Sequence, residues 1–356
     1  MESPDYVRLS TAADISLGFS NGAFYRDVEL YCINLLLYYP EGCRANCLYC
    51  GQARTSAQAA ICKSLIRVEW PLRRLNDVID RFKRFLENGS FLRAYRVCVA
   101  SITHAKAVKG EIEVVKKVSS ELNVPVSALI SPTIFTKQYM EELRSAGAER
   151  IGIAIDCATP QLFTLLRGKE AKGPHRWESY LNGVEEAVEV MGRGKVGIHL
   201  IVGLGESEEE AVALMQRVKR LGVETHLFSF YPEKGTILED WPRPHIGQYR
   251  RVQLARYIID NCLASYEDME FNEYGQITSY GVDVNRVAAS GKPFMTSGCP
   301  GCNRPFSNER PGETLRNYPY HPSRREALRA LKQAKRYATP KNTFQYLVSY
   351  LKLKGL

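Results

Sequence analysis

Apolar residues recur along the chain in two alternating rhythms. Short runs rich in Val, Ile, Leu and Tyr fall at residues 30–39, 95–100, 126–131, 150–156, 195–202, 225–230, 270–274 and 293–296, and read as strands. Longer stretches between them repeat apolar residues every three or four positions, and read as helices. Over 72–86 this spacing places Leu75, Val78, Ile79, Phe82 and Leu86 on one face, and 136–146, 177–192, 208–221 and 246–263 behave alike. Alternation of this kind builds a parallel sheet covered by helices. Eight such strands predict an α/β fold of the TIM type, a (β/α)8 barrel with its chemistry at the C-terminal ends of the strands. The last two units are the weakest because the helical stretch near 285–290 is short, so a partial barrel of six strands is the alternative.

The flanks differ in texture. Residues 1–28 precede the first strand and are expected to cap one end of a barrel running over 29–296. Residues 297–322 are rich in Gly, Pro and Asn and predict an irregular segment. Residues 323–356 read as a basic helical tail. In the helix expected at 323–337, Arg324, Arg325, Arg329, Lys332, Lys335 and Arg336 stand against Glu326, a face that is either solvated or docks an acidic partner. The 356 residues carry a formal net charge of +9, which suits an anionic partner or substrate without specifying nucleic acid. No basic–aromatic array of a recognised nucleic-acid module is present, so nucleic acid is not an expected partner. No apolar run is long enough to span a bilayer and no export signal is read, so a cytoplasmic location away from membranes is expected.

The chemistry is carried by cysteine. Cys43, Cys47 and Cys50 form a C-x3-C-x2-C run directly after the first strand. Such a run supplies three thiolates where a 4Fe–4S cluster needs four ligands, so one iron is left open to bind something other than protein. Zinc is the competing reading, but structural zinc favours paired C-x2–4-C knuckles, and no matching pair follows soon after this one. A disulfide framework is not expected in a chain read as cytoplasmic.

The run resembles the signature of the radical S-adenosylmethionine (radical SAM) enzymes, and the likeness extends from about Glu29 to Cys302. The resemblance implies a 4Fe–4S cluster whose open iron chelates the amino and carboxylate groups of SAM. An electron from a reductant such as ferredoxin or flavodoxin then cleaves SAM to methionine and a 5′-deoxyadenosyl radical, which abstracts hydrogen from an unactivated carbon. It also assigns residues. Tyr49 matches an aromatic beside the adenine, or else shields the cluster. Asp156 matches the carboxylate that holds the ribose hydroxyls, or else caps the helix at 160–166. Arg167 stands where a guanidinium pairs with the SAM carboxylate. Ile201, Gly203 and Glu206 match an I-x-G-x-x-E element along the adenine edge, although Glu206 together with Ser207 is an equally good helix cap. His175-x-Trp177 matches the entry to a helix and reads as structural. Ser101 and Thr103 end the second strand where relatives place a Gly-Gly-Glu element for the SAM amine; that triplet is absent here.

A second motif, Cys299-Pro300-Gly301-Cys302, is expected to supply part of an auxiliary iron–sulfur cluster that needs one or two further ligands. Cys62, in the long loop on the catalytic face, and Cys98, within the second strand, are the leading candidates, and Cys157 beside Asp156 is a third. Cys32 ranks last, because seven residues of strand put it roughly 23 Å from the catalytic face. Cys262 reads as a core thiol. The run Tyr95-Arg96-Val97-Cys98 resembles the second strand of biotin synthase with its cluster cysteine, yet the later cluster positions are Ala128 and Gly197. The usual sacrificial cluster of biotin synthase therefore cannot be assembled, while sulfur insertion through Cys299 and Cys302 stays open. The combination resembles the two-protein lipoyl synthases, which implies sulfur insertion into an octanoyl chain on an acidic lipoyl-carrier protein, with a second radical SAM subunit as partner. A rearrangement or maturation enzyme, related to methylornithine synthase or the hydrogenase maturases, is the alternative within the superfamily. A non-catalytic metal-binding module contacting nucleic acid is the alternative outside it.

Overall fold

The computed structural model describes residues 1–24, 26, 28–56, 64–65, 68–88, 95–304 and 312–356. In chain order β1 (Tyr6–Leu9), α1 (Thr11–Ser16), β2 (Cys32–Leu37), β3 (Ser64–Leu65), β4 (Val68–Glu69), β5 (Leu72–Arg74) and α2 (Leu75–Asn88) come first. The repeating part is β6 (Arg96–Ala100), α3 (Ala107–Glu121), β7 (Val126–Ile130), α4 (Lys137–Ser145), β8 (Ala148–Asp156), α5 (Pro160–Leu166), α6 (Trp177–Met191), β9 (Val196–Val202), α7 (Glu208–Arg220), β10 (Glu224–Ser229) and α8 (Ile246–Asp260). It is followed by β11 (Glu270–Phe271), β12 (Ile277–Ser279), α9 (Val284–Ala289), α10 (Arg324–Ala334) and α11 (Phe344–Leu353).

Eight strands form one sheet in the order β10-β9-β8-β7-β6-β2-β1-β5. From β2 to β10 every pairing is parallel, and β1 and β5 add antiparallel strands beyond β2. The six parallel strands are those read from the sequence, and their C-terminal ends share one mouth. Strand β9 shows why these sequences make such a sheet. Val196, Ile198, Leu200 and Val202 are fully buried on one face, while His199 and Ile201 line an internal cavity on the other. Both faces are covered, which is why the strand reads as a nearly continuous apolar run.

Three expectations are corrected. The seventh and eighth predicted strands do not join the sheet. Glu270–Phe271 pairs antiparallel with Ile277–Ser279 as a separate ribbon, and Lys292–Phe294 is a single 3-10 turn around Pro293, which has no N–H to donate to a ladder. The N-terminal extension is not a simple cap, since β1 hydrogen-bonds to both β2 and β5. Cys262 is not a core thiol: it lies beyond the end of α8, in left-handed backbone, and is exposed.

Two buried arginines on α8 fasten the C-terminal residues to the barrel. Arg251 makes an ion pair with Glu208 of α7 at 2.6 Å, with both side chains almost fully buried, and donates to the carbonyls of Ala334 and Arg336 beyond α10. Glu208 also accepts the backbone N–H of Ile277. Arg250 donates to the Arg316 carbonyl at 2.6 Å and to Gln253 and Gln333. Among the described residues, no helix is long and apolar enough to cross a membrane.

Removing one member of the buried pair leaves the other as an uncompensated charge. Arg251→Met is expected to lower stability by about 3–5 kcal/mol in anaerobic urea unfolding, with Arg251→Met/Glu208→Leu recovering most of the loss.

Candidate active site

A cavity of about 330 Å³ runs through the barrel interior. Seven of the ten cysteines line it: Cys43, Cys47 and Cys50 in the loop after β2, and Cys32, Cys98, Cys299 and Cys302 toward the other end of the strands. All seven are free thiols.

The first loop is pinned by backbone hydrogen bonds to neighbouring strand and helix ends. Arg44 N–H donates to the Thr103 carbonyl beyond β6 at 2.8 Å, and Leu48 N–H to the Leu166 carbonyl at the end of α5 at 2.8 Å. Cys50 N–H closes a tight turn onto the Cys47 carbonyl, and the Asn46 side-chain amide donates to the Ala171 carbonyl at 2.6 Å. The three thiols are thereby held against the mouth of the barrel. Burial pushes the Cys47 thiol up to about 11 and raises Cys43 and Cys50 as well, while Arg167 pulls Cys43 and Cys47 back. Three free thiols on one rigid loop, opening on a cavity, fit a cluster that takes one thiolate per iron and replaces the thiol protons when it binds.

Beside this loop lies a carboxylate network. Asp156 follows an irregularity in the β8–β9 ladder and sits in left-handed backbone, with φ of 65°. Its Oδ2 accepts the Tyr49 hydroxyl at 2.7 Å and the Arg167 guanidinium at 2.9 Å. Arg167 also donates to the carbonyls of Ala154 and Ile155 and to the Tyr180 hydroxyl. The chain continues from Tyr180 to Ser131 and His175. Burial and the adjacent Arg167 hold His175 neutral, its pKa depressed to about 2. Both terminal nitrogens of Arg167 are thus engaged by the protein, and it acts by fixing Asp156. Thr159 caps α5 through its own side chain, so Asp156 is not spent on that helix.

Of the Ile201–Gly203–Glu206 element, Ile201 lines the cavity and the other two do not. The Glu206 carboxylate turns back to accept the N–H groups of Gly203 and Leu204, and burial pushes its pKa up to about 8. The capping box of α7 is Ser207 with Glu210, so Glu206 shapes the loop rather than the helix. Gly203 has φ of 106°, and a Cβ there would lie 2.6 Å from Pro244. Ser101 and Thr103 line the cavity beside the cysteine loop.

The second cysteine group lies at the other end of the cavity. The 297–304 segment does not reach the catalytic mouth; it docks under the opposite ends of the strands. Arg96 Nε donates to the Pro300 carbonyl at 3.2 Å, and Ser127 Oγ to Cys299 Sγ at 3.3 Å. Asn303 accepts the Tyr31 N–H and donates to the Glu29 carbonyl at 2.7 Å. Cys32, ranked last for its distance from the catalytic face, is therefore beside Cys302, to which its thiol is hydrogen-bonded. Cys98 points into the barrel toward the same pair. Cys157 is fully buried and lines no part of the cavity, and Cys62 lies outside the described residues. No three His, Cys, Asp or Glu among the described residues are grouped closely enough to hold a single metal ion.

The interior residues His199, His226, Phe228 and Arg304 were not singled out from sequence, though the period-two alternation of β9 and β10 carries the signal. The His199 and His226 rings lie 5.6 Å apart. Burial keeps both neutral, with His199 depressed to about 3. A Cβ at residue 197 would lie 2.5 Å from the His226 ring, so imidazole fills the space beside Gly197.

Residues 37–218, more than half of the chain, match the radical SAM superfamily. A curated relative, the biotin synthase of Leptospira biflexa serovar Patoc, is 26% identical over 203 residues, which are 55% of this chain and 51% of the relative; the chain thus matches about half that protein's length. Among solved structures, methylornithine synthase has a TM-score of 0.46 at 14% identity, covering 70% of this chain and 66% of its own. HydG, a maturase of the FeFe-hydrogenase, has a TM-score of 0.49 at 14% identity, covering 70% and 54%. The cysteine loop at the strand mouth and the family match agree, and the chain belongs to the radical SAM superfamily.

Proposed function

We propose that this radical SAM enzyme inserts sulfur into an unactivated C–H bond of a protein-bound octanoyl group, in the manner of the two-protein lipoyl synthases. The observation that supports this reading is the single cavity with a thiol group at each end. One end suits radical generation and the other a sulfur source, with room for an acyl chain between.

Cys43, Cys47 and Cys50 would hold the 4Fe–4S cluster, which when bound supplies the electron that cleaves SAM. Asp156, oriented by Tyr49 and Arg167, offers its second oxygen to the ribose hydroxyls. Ile201 gives the adenine an apolar edge, and the Gly203 turn, braced by Glu206, holds the strand end in place. The apolar walls from Leu35, Ala100, Leu129 and Phe228 fit an alkyl chain and exclude water from the radical. Cys299, Cys302 and Cys98 would hold the auxiliary centre from which sulfur is drawn. The exposed Arg324, Arg325, Arg329, Lys332, Lys335 and Arg336 offer an acidic lipoyl-carrier protein a basic face, and a reductant and a second radical SAM subunit complete the set of partners.

Asp156→Asn should weaken SAM binding roughly 10- to 100-fold, as expected when a buried charge-assisted hydrogen bond is lost. Tyr49→Phe should weaken it only about fivefold, since the partner bond is indirect. Anaerobic titration calorimetry checks both. Cys299→Ala/Cys302→Ala should still form 5′-deoxyadenosine from SAM and reductant but yield no C–S bond on an octanoylated carrier peptide, as read by mass spectrometry. Sulfur incorporation by that variant sinks the proposed sulfur source. A product isomeric with the substrate moves the reading to the rearrangement enzymes.

A further inference from the structure

We propose that Cys32, Cys98, Cys299 and Cys302 together form a closed, all-cysteine site for a four-iron cluster, with Cys32, at the N-terminal end of β2, as an obligatory ligand. This deepens the reading above and rests on it only for the presence of an auxiliary centre; the ligand set stands or falls by metal content, not by product.

The backbone prepares the site from three directions. The β2–β6 register sets Cys32 beside Arg96 and Asn34 beside Cys98, so both cysteines lie near the same end of adjacent strands. The Cys299–Cys302 turn is closed by the Cys302 N–H to the Cys299 carbonyl at 2.8 Å, with Gly301 at φ of 83°. This puts both sulfurs on the same side of the turn. A Cβ at Gly298 would lie 2.9 Å from Cys302 Cβ and 3.2 Å from its Sγ, so only glycine fits there. Asn303 then ties the turn to Glu29 and Tyr31, just ahead of Cys32. Leu227 of β10 donates its N–H to Ser297 Oγ at 2.7 Å, which anchors the near side of the segment.

The surroundings are those of a buried anion. Ser127 donates to Cys299 Sγ, and Asn34 donates to Cys32 Sγ at 3.5 Å. Arg96 is almost fully buried beside this segment, where it donates to the Ser127 hydroxyl and the Pro300 carbonyl. Four thiolates around a cluster leave the assembly net negative, and hydrogen bonds to sulfur together with the buried Arg96 guanidinium offset this charge. A cluster takes one thiolate at each iron, whereas a single ion needs all four sulfurs to converge on one point. With a cysteine for every iron, this site differs from the first loop, which leaves one iron open.

The test isolates the second site. In a Cys43→Ala/Cys47→Ala/Cys50→Ala background, anaerobic reconstitution should leave about four irons per chain. Adding Cys32→Ala should remove most of them or yield a three-iron centre, visible as an electron paramagnetic resonance signal in the oxidised protein. Cys32→Ser, which keeps the side-chain volume, should also change the signal, and serves if the alanine variant fails to fold by circular dichroism. Cys262→Ala, at an exposed thiol, should change nothing. Iron content and spectra that survive both Cys32 variants would falsify the four-cysteine site, and so would zinc in place of iron. In the unsubstituted enzyme, iron content for both clusters with no sulfur insertion would refute the function proposed above and leave this site intact.

Discussion

The placement of the second cysteine group depends on how one irregular segment packs under the strands. Residues 297–304 carry no repeating backbone pattern, so their polar groups must find partners in the strands they cover. Asn303 does most of this, bonding to Tyr31, Glu29 and Pro319, and Arg96 meets the Pro300 carbonyl. These bonds bring Cys299 and Cys302 under β2 and β6, 199 or more residues away in sequence. Without them the interior would open at that end, and Arg96, Cys32 and Cys98 would face water.

At the opposite mouth the organising charge is Arg167. Its guanidinium is buried yet surrounded by acceptors: the Asp156 carboxylate, two strand carbonyls and the Tyr180 hydroxyl. A buried cation costs several kcal/mol unless it is paired and hydrogen-bonded, and here it is both. One group therefore fixes the strand end, orients the carboxylate and offsets part of the rise that burial imposes on the Cys43 and Cys47 thiols. The neutral His175 beyond Tyr180 avoids a second buried positive charge.

Between the two ends, the strands alternate in role. Val196, Ile198, Leu200 and Val202 hold the helical layer, while His199 and Ile201 face the cavity. At Gly197 the His226 ring fills the space a side chain would occupy. The arginines of α8 bind the outer layer in the same way, since Arg251 satisfies carbonyls at and beyond the end of α10 and Arg250 that of Arg316 in an irregular stretch.

The six parallel strands were legible because each is an apolar run bounded by helical periodicity, a local signal. The C-x3-C-x2-C loop was legible because its ligands are near neighbours in sequence and the chemistry requires that spacing. Strands at 270–274 and 293–296 were misread, since a short apolar run does not reveal whether a sheet edge is available to pair with it. The second cysteine group was only half legible. Cys299 and Cys302 declare themselves by spacing, but Cys32 and Cys98 sit in ordinary strand sequence, and distance along one strand does not reveal that Cys32 lies beside Cys302. Which end of the barrel the 297–304 segment covers is a matter of long-range hydrogen bonds and charge, and no local pattern encodes it. The sequence by itself determined the family, the radical-generating loop and the frame of strands; the tertiary structure alone decided which distant thiols share a site, because that depends on where the chain returns after β10.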